Sequence, residues 1–226
     1  MNKELDIAAL ESVSIADNYN NYVAGLFFSN IKKSYNILDF GAGYGLFTKK
    51  IKDAGYKILA VEINKEAIEK LKTLNIDCYS SIEKVPLTTN CIISLNVLEH
   101  IDDDYKCLKD LYSHLPIDGK LILYLPASNL VWTKLDEMVN HKRRYSKRQV
   151  TELLESNKFK IEKVFYVDFI GWWVLLLSKI LKLDLGFDKK KIKFYDKYIF
   201  KFFKFIDHVT KNIVGKNLFI VATKKV

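Results

Sequence analysis

The chain has 226 residues, 49% of them apolar and 28% charged, with only nine glycines and three prolines. That balance suits one globular domain, 1–226, with a sizeable core, and excludes a disordered or low-complexity chain. The formal net charge of +9 sits in two segments described below, not along one continuous stripe.

In chain order, residues 14–33 read as a helix carrying Tyr19, Tyr22, Val23 and Leu26. The apolar stretch 35–40 reads as a short buried strand, 45–54 as a helix and 56–63 as a second strand. Residues 64–74 form a further helix with Asn64 as its N-cap. A weaker strand is expected at 76–80, an apolar strand at 91–98, a helix at 102–115 and a strand at 119–126. Strands that are nearly all apolar and alternate with helices predict a parallel sheet covered on both faces, a doubly wound α/β fold. Such folds bind ligands beyond the carboxyl ends of their strands.

The turn after the first strand reads LDFGAGYG. Its Asp39, Gly41, Gly43 and Gly45 make a D-x-G-x-G-x-G pattern, in which glycine permits positive φ and close approach of a ligand. A dinucleotide fingerprint needs a small residue at 46, where Leu46 stands, so the dehydrogenase register fails. Glu62 ends the second strand, where a carboxylate can accept hydrogen bonds from ribose hydroxyls.

LDFGAGYG together with VEIN (61–64) resembles the class I S-adenosylmethionine-dependent methyltransferases, over roughly 14–165. The resemblance implies a seven-stranded, Rossmann-like, mostly parallel sheet and S-adenosylmethionine as cofactor. It assigns the methionine end of the cofactor to Asp39, Gly41, Ala42, Gly43 and Gly45. Glu62 would take the ribose, and Ile63 would lie against the adenine. Ser81 stands where the family often has an acid bonding the adenine amino group, and the main chain at Ile82 is the alternative contact. Asn96, in SLNVLEHIDDD, would lie beside the sulfonium.

A narrower likeness runs to one subgroup of these enzymes, associated with bacterial surface-glycan, lipid-linked sugar and phosphonate pathways. Residues 17–31 resemble its cofactor-covering helix, where Tyr19 and Tyr22 would cap the methionine carboxylate or pack against the sheet. Residues 135–150 resemble its substrate-side loop, an acid followed by H-x-R-R-Y. Independently of any family, HKRRYSKR (141–148) carries five cations and no acid. Ser146 and Gln149 form an S-x-x-Q capping box that should start a helix near 147. Anions favour such an N-terminus, and arginine forks suit phosphate or carboxylate oxygens. The acceptor is therefore expected to be an anionic small molecule or glycan-type group contacted by His100, Arg143, Arg144 and Tyr145. The plainer alternative is a basic loop tied to surface acids. If the acceptor is a hydroxyl, His141 is the candidate base, with Asp136 orienting it or serving as the base itself; O-methylation is the expected chemistry.

Strands at 159–167 and 217–225 would close the sheet as an antiparallel pair, leaving a helical insertion, 168–216, far longer than a hairpin needs. Within it Tyr195, Tyr198, Ile199, Phe202, Phe203 and Ile206 recur at helical spacing and predict a core-facing stripe. Residues 182–204 hold eight lysines and three aspartates, a surplus of +5; with +5 from 141–148 the remainder is near neutral. This reads as a lid over the sheet, or as a basic amphipathic element (169–206) contacting an anionic membrane face.

Cys78, Cys91 and Cys107 are odd in number and lack C-x-x-C spacing, so free thiols in a reducing compartment are expected, and no metal is expected. The opening MNKELDIAALES lacks the apolar stretch of a secretory signal, and the apolar run at 169–177 is too short to span a bilayer. A cytoplasmic protein is the expectation, with peripheral contact at the inner membrane face as an addition. Nucleic acid is not expected as a partner, because no recognised binding module is present. The alternative to an enzyme is a catalytically silent protein that binds the cofactor or serves as a peripheral membrane scaffold.

Overall fold

The computed structural model describes residues 14–183, 186 and 188–225. The leader reading of the first twelve residues, and Asp184 of the lysine-rich stretch, lie outside them. The helices are α1 (Asp17–Phe28), α2 (Leu46–Asp53), α3 (Lys65–Thr73), α4 (Asp104–His114), α5 (Lys134–Met138), α6 (Lys147–Ser156), α7 (Phe169–Ile180), α8 (Lys189–Phe194) and the single turns α9 (Lys201–Phe203) and α10 (Asp207–Thr210). The strands are β1 (Asn36–Phe40), β2 (Lys57–Val61), β3 (Cys78–Tyr79), β4 (Cys91–Leu95), β5 (Lys120–Pro126), β6 (Phe159–Val167) and β7 (Asn217–Lys224).

They form one seven-stranded sheet in the order β3-β2-β1-β4-β5-β7-β6. β1 through β5 pair in parallel, and β7 runs antiparallel between β5 and β6. Adjacent residues of a strand point to opposite faces, and here both faces are apolar. Leu38, Ile92, Leu121 and Leu123 pack with Leu108 and Leu111 of α4 and with Val150 and Leu154 of α6. Ile37, Ile93, Ile122 and Tyr124 pack on the other side with Val23 and Phe27 of α1 and Ile51 of α2. A sheet buried on both faces is what the unbroken apolar runs predict.

Helix caps follow the local sequence. Asn64 Oδ1 accepts from the main-chain N–H groups of Glu66 and Ala67 at 2.9 and 3.2 Å. Ser146 Oγ accepts from Gln149 N, and Gln149 Oε1 accepts from Ser146 N, so the expected capping box starts α6. The strand expected at 91–98 stops at Leu95, because Asn96 turns into a left-handed conformation (φ 50°) and a 3-10 turn follows at Leu98–His100.

The insertion departs from the expected stripe. Tyr198, Phe202 and Phe203 are exposed, whereas Asp196, Phe200 and Asp207 are buried. A π-helical turn at Tyr195–Phe200 follows α8 directly, and its wider turn rotates the side chains off the 3.6-residue period. The inward positions also carry acids because helix termini need them. Asp196 Oδ2 and Oδ1 accept from the N–H groups of Asn18 and Tyr19 at the start of α1. Asp207 Oδ2 and Oδ1 accept from those of Asp168 and Phe169 at the start of α7. Among the described residues no helix is long and apolar enough to cross a membrane.

Candidate active site

The glycine turn follows β1 and faces the end of β2. Gly41, Gly43 and Gly45 all have positive φ. At Gly41 an added Cβ would stand 2.3 Å from Val97 Cγ2, and at Gly45 it would stand 2.7 Å from Leu71 Cδ2. Both glycines are therefore demanded by neighbouring side chains of the chain itself, besides the backbone angle. The N–H groups of Gly41 and Ala42 donate to Val61 O at 2.8 and 3.1 Å and hold the turn against β2.

Glu62 is the organising acid. Its Oε2 accepts from Gly43 N at 2.7 Å, and its Oε1 accepts from Ile63 N and Asn64 N, each at 2.8 Å. A carboxylate offers about four acceptor positions, so Glu62 joins the two loops and keeps capacity for a ribose hydroxyl. Ile63 beside it is 82% exposed, an apolar platform suited to an adenine ring. Asp39 lies beneath the turn, 2% exposed, with Thr48 Oγ1 donating to its Oδ2 at 2.6 Å. Burial pushes its carboxyl up to about 7, against the opposing effect of the Thr48 hydroxyl. Ser81 precedes the 3-10 turn Ile82–Lys84, whose Ile82 is buried. Asn96 is exposed at the end of β4, its main-chain N–H donating to Tyr124 O. The glycine turn, Glu62 and Asn96 follow the carboxyl ends of β1, β2 and β4, and the spare acceptor capacity of Glu62 beside the exposed Ile63 suits an adenosyl group.

Tyr19 and Tyr22 are engaged elsewhere. The Tyr19 hydroxyl lies 2.7 Å from that of Tyr124 and accepts from Asn217 Nδ2 at 2.9 Å, while the Tyr22 hydroxyl donates to Asp207 Oδ2 at 3.0 Å. Both rings meet Phe200 edge-on, at 5.0 and 5.5 Å. In this structure they fasten α1 to the sheet and the insertion, the packing role that the sequence left open.

In the segment after β5, Asp136 is a hub in α5, 1% exposed. Its Oδ1 lies 2.8 Å from His141 Nδ1 and accepts from Arg144 Nε at 2.7 Å; its Oδ2 accepts from Thr133 N at 2.9 Å. Burial opposes ionisation of Asp136, yet His141 and Arg144 together hold its carboxyl below the usual range. Lys142 N donates to Glu99 O at 2.9 Å, which ties the loop to the segment following β4. The rings of His100 and His141 meet edge-on at 4.9 Å. The structure thus brings together His141, Asp136, His100 and Arg144.

Arg143 and Tyr145 turn toward Asp104 instead. Arg143 Nη1 pairs with Asp104 Oδ2 at 2.6 Å, and the Tyr145 hydroxyl donates to the same oxygen at 2.8 Å. With Arg144 and Gln149 they line an open hollow of about 240 Å³, which His141 does not line. Arg144 is buried and also donates to Ala127 O. Much of the loop's positive charge is therefore already met by acids.

Glu99 is the residue that motif reading passed over. It is fully buried, and neither carboxylate oxygen has a hydrogen-bond partner in another residue. Burial pushes its carboxyl up to about 8, with its own main-chain N–H and the Arg144 charge pulling the other way. The available signal was an acid set between Leu98 and His100 at the end of an apolar strand.

Comparison with known proteins bears on the family and the fold. The profile of a methyltransferase-domain family, Methyltransf_23, matches residues 16–164. An uncharacterized protein of Methanocaldococcus jannaschii is 26% identical over 172 residues, covering 73% of this chain and 74% of its own. Among solved structures, an S-adenosylmethionine-dependent methyltransferase of Thermotoga maritima shares the fold at 17% identity with a TM-score of 0.65, over 93% of this chain and 91% of that one. Phosphoethanolamine N-methyltransferase 2 of Haemonchus contortus, in complex with S-adenosylmethionine, does so at 17% identity with a TM-score of 0.57, over 91% of this chain and 52% of that one. The family match spans well over half the chain and takes in the whole glycine turn, Glu62 and the β4 edge; this protein belongs to the methyltransferase-domain family and is an S-adenosylmethionine-dependent methyltransferase.

Proposed function

We propose that the chain methylates an oxygen of an acceptor that carries an anionic group, a small molecule or a glycan-type or lipid-linked one. The observation that carries this reading is the His141–Asp136 pair. Asp136 lies 2.8 Å from His141 Nδ1, and in the neutral ring a proton held there leaves the Nε2 lone pair to take a hydroxyl proton. S-adenosylmethionine supplies an electrophilic methyl group on its sulfonium. The protein's share is to hold the donor by its sugar at Glu62, to align the acceptor, and to receive its proton at His141 Nε2. Orientation alone lowers such a barrier by roughly 7–11 kcal/mol.

The anionic character of the acceptor is drawn from the hollow beside the N-terminus of α6, lined by Arg143 and Arg144, whose charges Asp104 and Asp136 already meet in part. Asp104 already takes one edge of Arg143, so an acceptor anion would compete with it. The test is transfer of labelled methyl to pooled hydroxyl acceptors bearing phosphate, phosphonate or carboxylate. An O-methyl product, a kcat reduced more than KM in His141→Ala, and a raised acceptor KM at unchanged cofactor affinity in Arg143→Ala are expected. A product methylated on nitrogen would overturn the oxygen assignment. Cofactor binding without release on any pool would favour the silent cofactor-binding protein.

The insertion supports a lipid-linked acceptor. α7 buries Trp172 and Leu175, yet its opposite stripe, Trp173, Leu177 and Ile180, is 42–64% exposed. Lys189, Lys190, Lys191 and Lys193 follow on α8. An apolar stripe beside a lysine-rich helix matches an anionic bilayer surface. Sedimentation with phosphatidylglycerol vesicles, but not phosphatidylcholine vesicles, is expected, and equal behaviour with both would remove this contact.

A further inference from the structure

We propose that Glu99, His100 and His141 bind one divalent transition cation beside the methyl-transfer centre. The three belong to two loops, one after β4 and one after β5, which the Lys142–Glu99 main-chain bond draws together. One ligand atom from each lies within 4.8 Å of the others. His141 Nε2 is 3.6 Å from Glu99 Oε1. A cation about 2.0–2.2 Å from imidazole nitrogen and carboxylate oxygen holds those atoms roughly 3–3.5 Å apart. The Glu99–His141 edge is thus near its liganded length, and the other two edges, each within 4.8 Å, close with inward adjustments of about 1–2 Å.

Two further observations point to a ligand. Glu99 stands alone among the buried acids described: Asp39, Asp136 and Asp207, for example, each accept hydrogen bonds from other residues, whereas neither Glu99 oxygen does. A buried acid whose oxygens receive no hydrogen bond from another residue, with the His141 ring 3.6 Å away as its neighbour, is unfavourable and calls for a ligand. Second, His141 Nδ1 is held by Asp136 at 2.8 Å, and Asp136 in turn by Arg144 at 2.7 Å. A carboxylate behind an imidazole fixes its tautomer and aims the far nitrogen at a metal.

Two imidazoles and one carboxylate suit Zn²⁺, Mn²⁺ or Fe²⁺ better than Mg²⁺ or Ca²⁺, which prefer oxygen ligands alone. Three protein ligands leave coordination positions open. This rests on the reading above for the reacting atom and replaces one part of it: with a cation bound, His141 Nε2 is a ligand and not the proton acceptor. The acceptor hydroxyl takes an open position and loses its proton to solvent, since His141 Nε2 is then occupied. Its oxygen forms the new bond to the methyl carbon while the carbon–sulfur bond breaks, its electron pair passing to sulfur as the neutral thioether.

The test uses the full chain without a histidine tag, stripped with chelator and titrated by calorimetry with ZnCl₂ and with MnCl₂. One equivalent should bind, Zn²⁺ more tightly than Mn²⁺. Glu99→Gln and His141→Ala should each weaken Zn²⁺ binding at least tenfold, while His208→Ala, outside the cluster, should leave it unchanged. CoCl₂ should give a visible absorption band that Glu99→Gln abolishes, and circular dichroism reports that each variant is folded. No binding tighter than millimolar, or binding unaltered by Glu99→Gln and His141→Ala, overturns the site. Full turnover in chelator overturns the activating role and leaves methyl transfer standing. Failure of the chain to bind S-adenosylmethionine would instead sink the reading above while leaving cation binding intact.

Discussion

The glycine turn and the 168–216 insertion both depend on buried carboxylates, yet they are built on different footings. Around the turn the acids sit on a sheet whose two faces are filled by apolar side chains, so Glu62 and Asp39 shape a frame that apolar burial already holds. In the insertion, Trp172, Leu175 and Phe200 are buried while many large apolar side chains face outward. Its attachment to the rest of the chain combines polar contacts, Asp196 with the start of α1 and Asp207 with the Tyr22 hydroxyl, with one small apolar cluster of Trp172, Leu175 and Val131. Apolar burial is spread over many atoms and tolerates local loss; a few directional bonds do not. The sheet should therefore unfold only as a whole, and the insertion should open first.

Substitutions can break this contrast, beginning with the largest effect. Phe219→Ala, at a fully buried position of β7, should lower stability by about 4 kcal/mol, with all probes melting together in urea. Asp207→Ala should cost about 3 kcal/mol by stranding two main-chain N–H groups and the Tyr22 hydroxyl. Hydrogen exchange should rise across 169–180 while amides of β1 and β4 stay protected; uniform acceleration would erase the distinction between the regions. Asp39 gives a pH-dependent measure of the turn. Its folded pKa, about 7, lies above the ordinary value of 3.8, so its contribution is fully present below pH 3.8 and is lost as pH rises through 7. Wild type should lose roughly 2–3 kcal/mol relative to Asp39→Asn between pH 5 and pH 8, measured by urea midpoints without cofactor. Smallest in free energy, Glu62→Gln should weaken S-adenosylmethionine binding by at least about tenfold, near 1.4 kcal/mol, by calorimetry.

The sheet was legible because its signals are local. Alternating apolar strands and helices, Asn64 as a cap and the Ser146–Gln149 box all act within a few residues, and each stands where the pattern puts it. The pairing of Asp136 with His141, five residues apart, was also within reach. The insertion was not, since a period of 3.6 cannot anticipate a π-helical turn or an acid placed inward to serve another helix's terminus. Tyr19 and Tyr22 were ambiguous for a related reason: Phe200, Asn217 and Asp207, which hold them, lie about 180 residues away or more. Glu99 escaped notice because what distinguishes it is a missing partner, and only three-dimensional placement reveals that.

The space left at Gly41 and Gly45 is filled by Val97 and Leu71, side chains of the protein itself. Selection on folding would therefore preserve both glycines in a descendant that had abandoned methyl transfer. Glu62 is under the same demand, since three main-chain N–H groups donate to its carboxylate. Surveys for inactive relatives therefore learn little from the glycine signature by which the fold is first noticed, or from the acid that braces it.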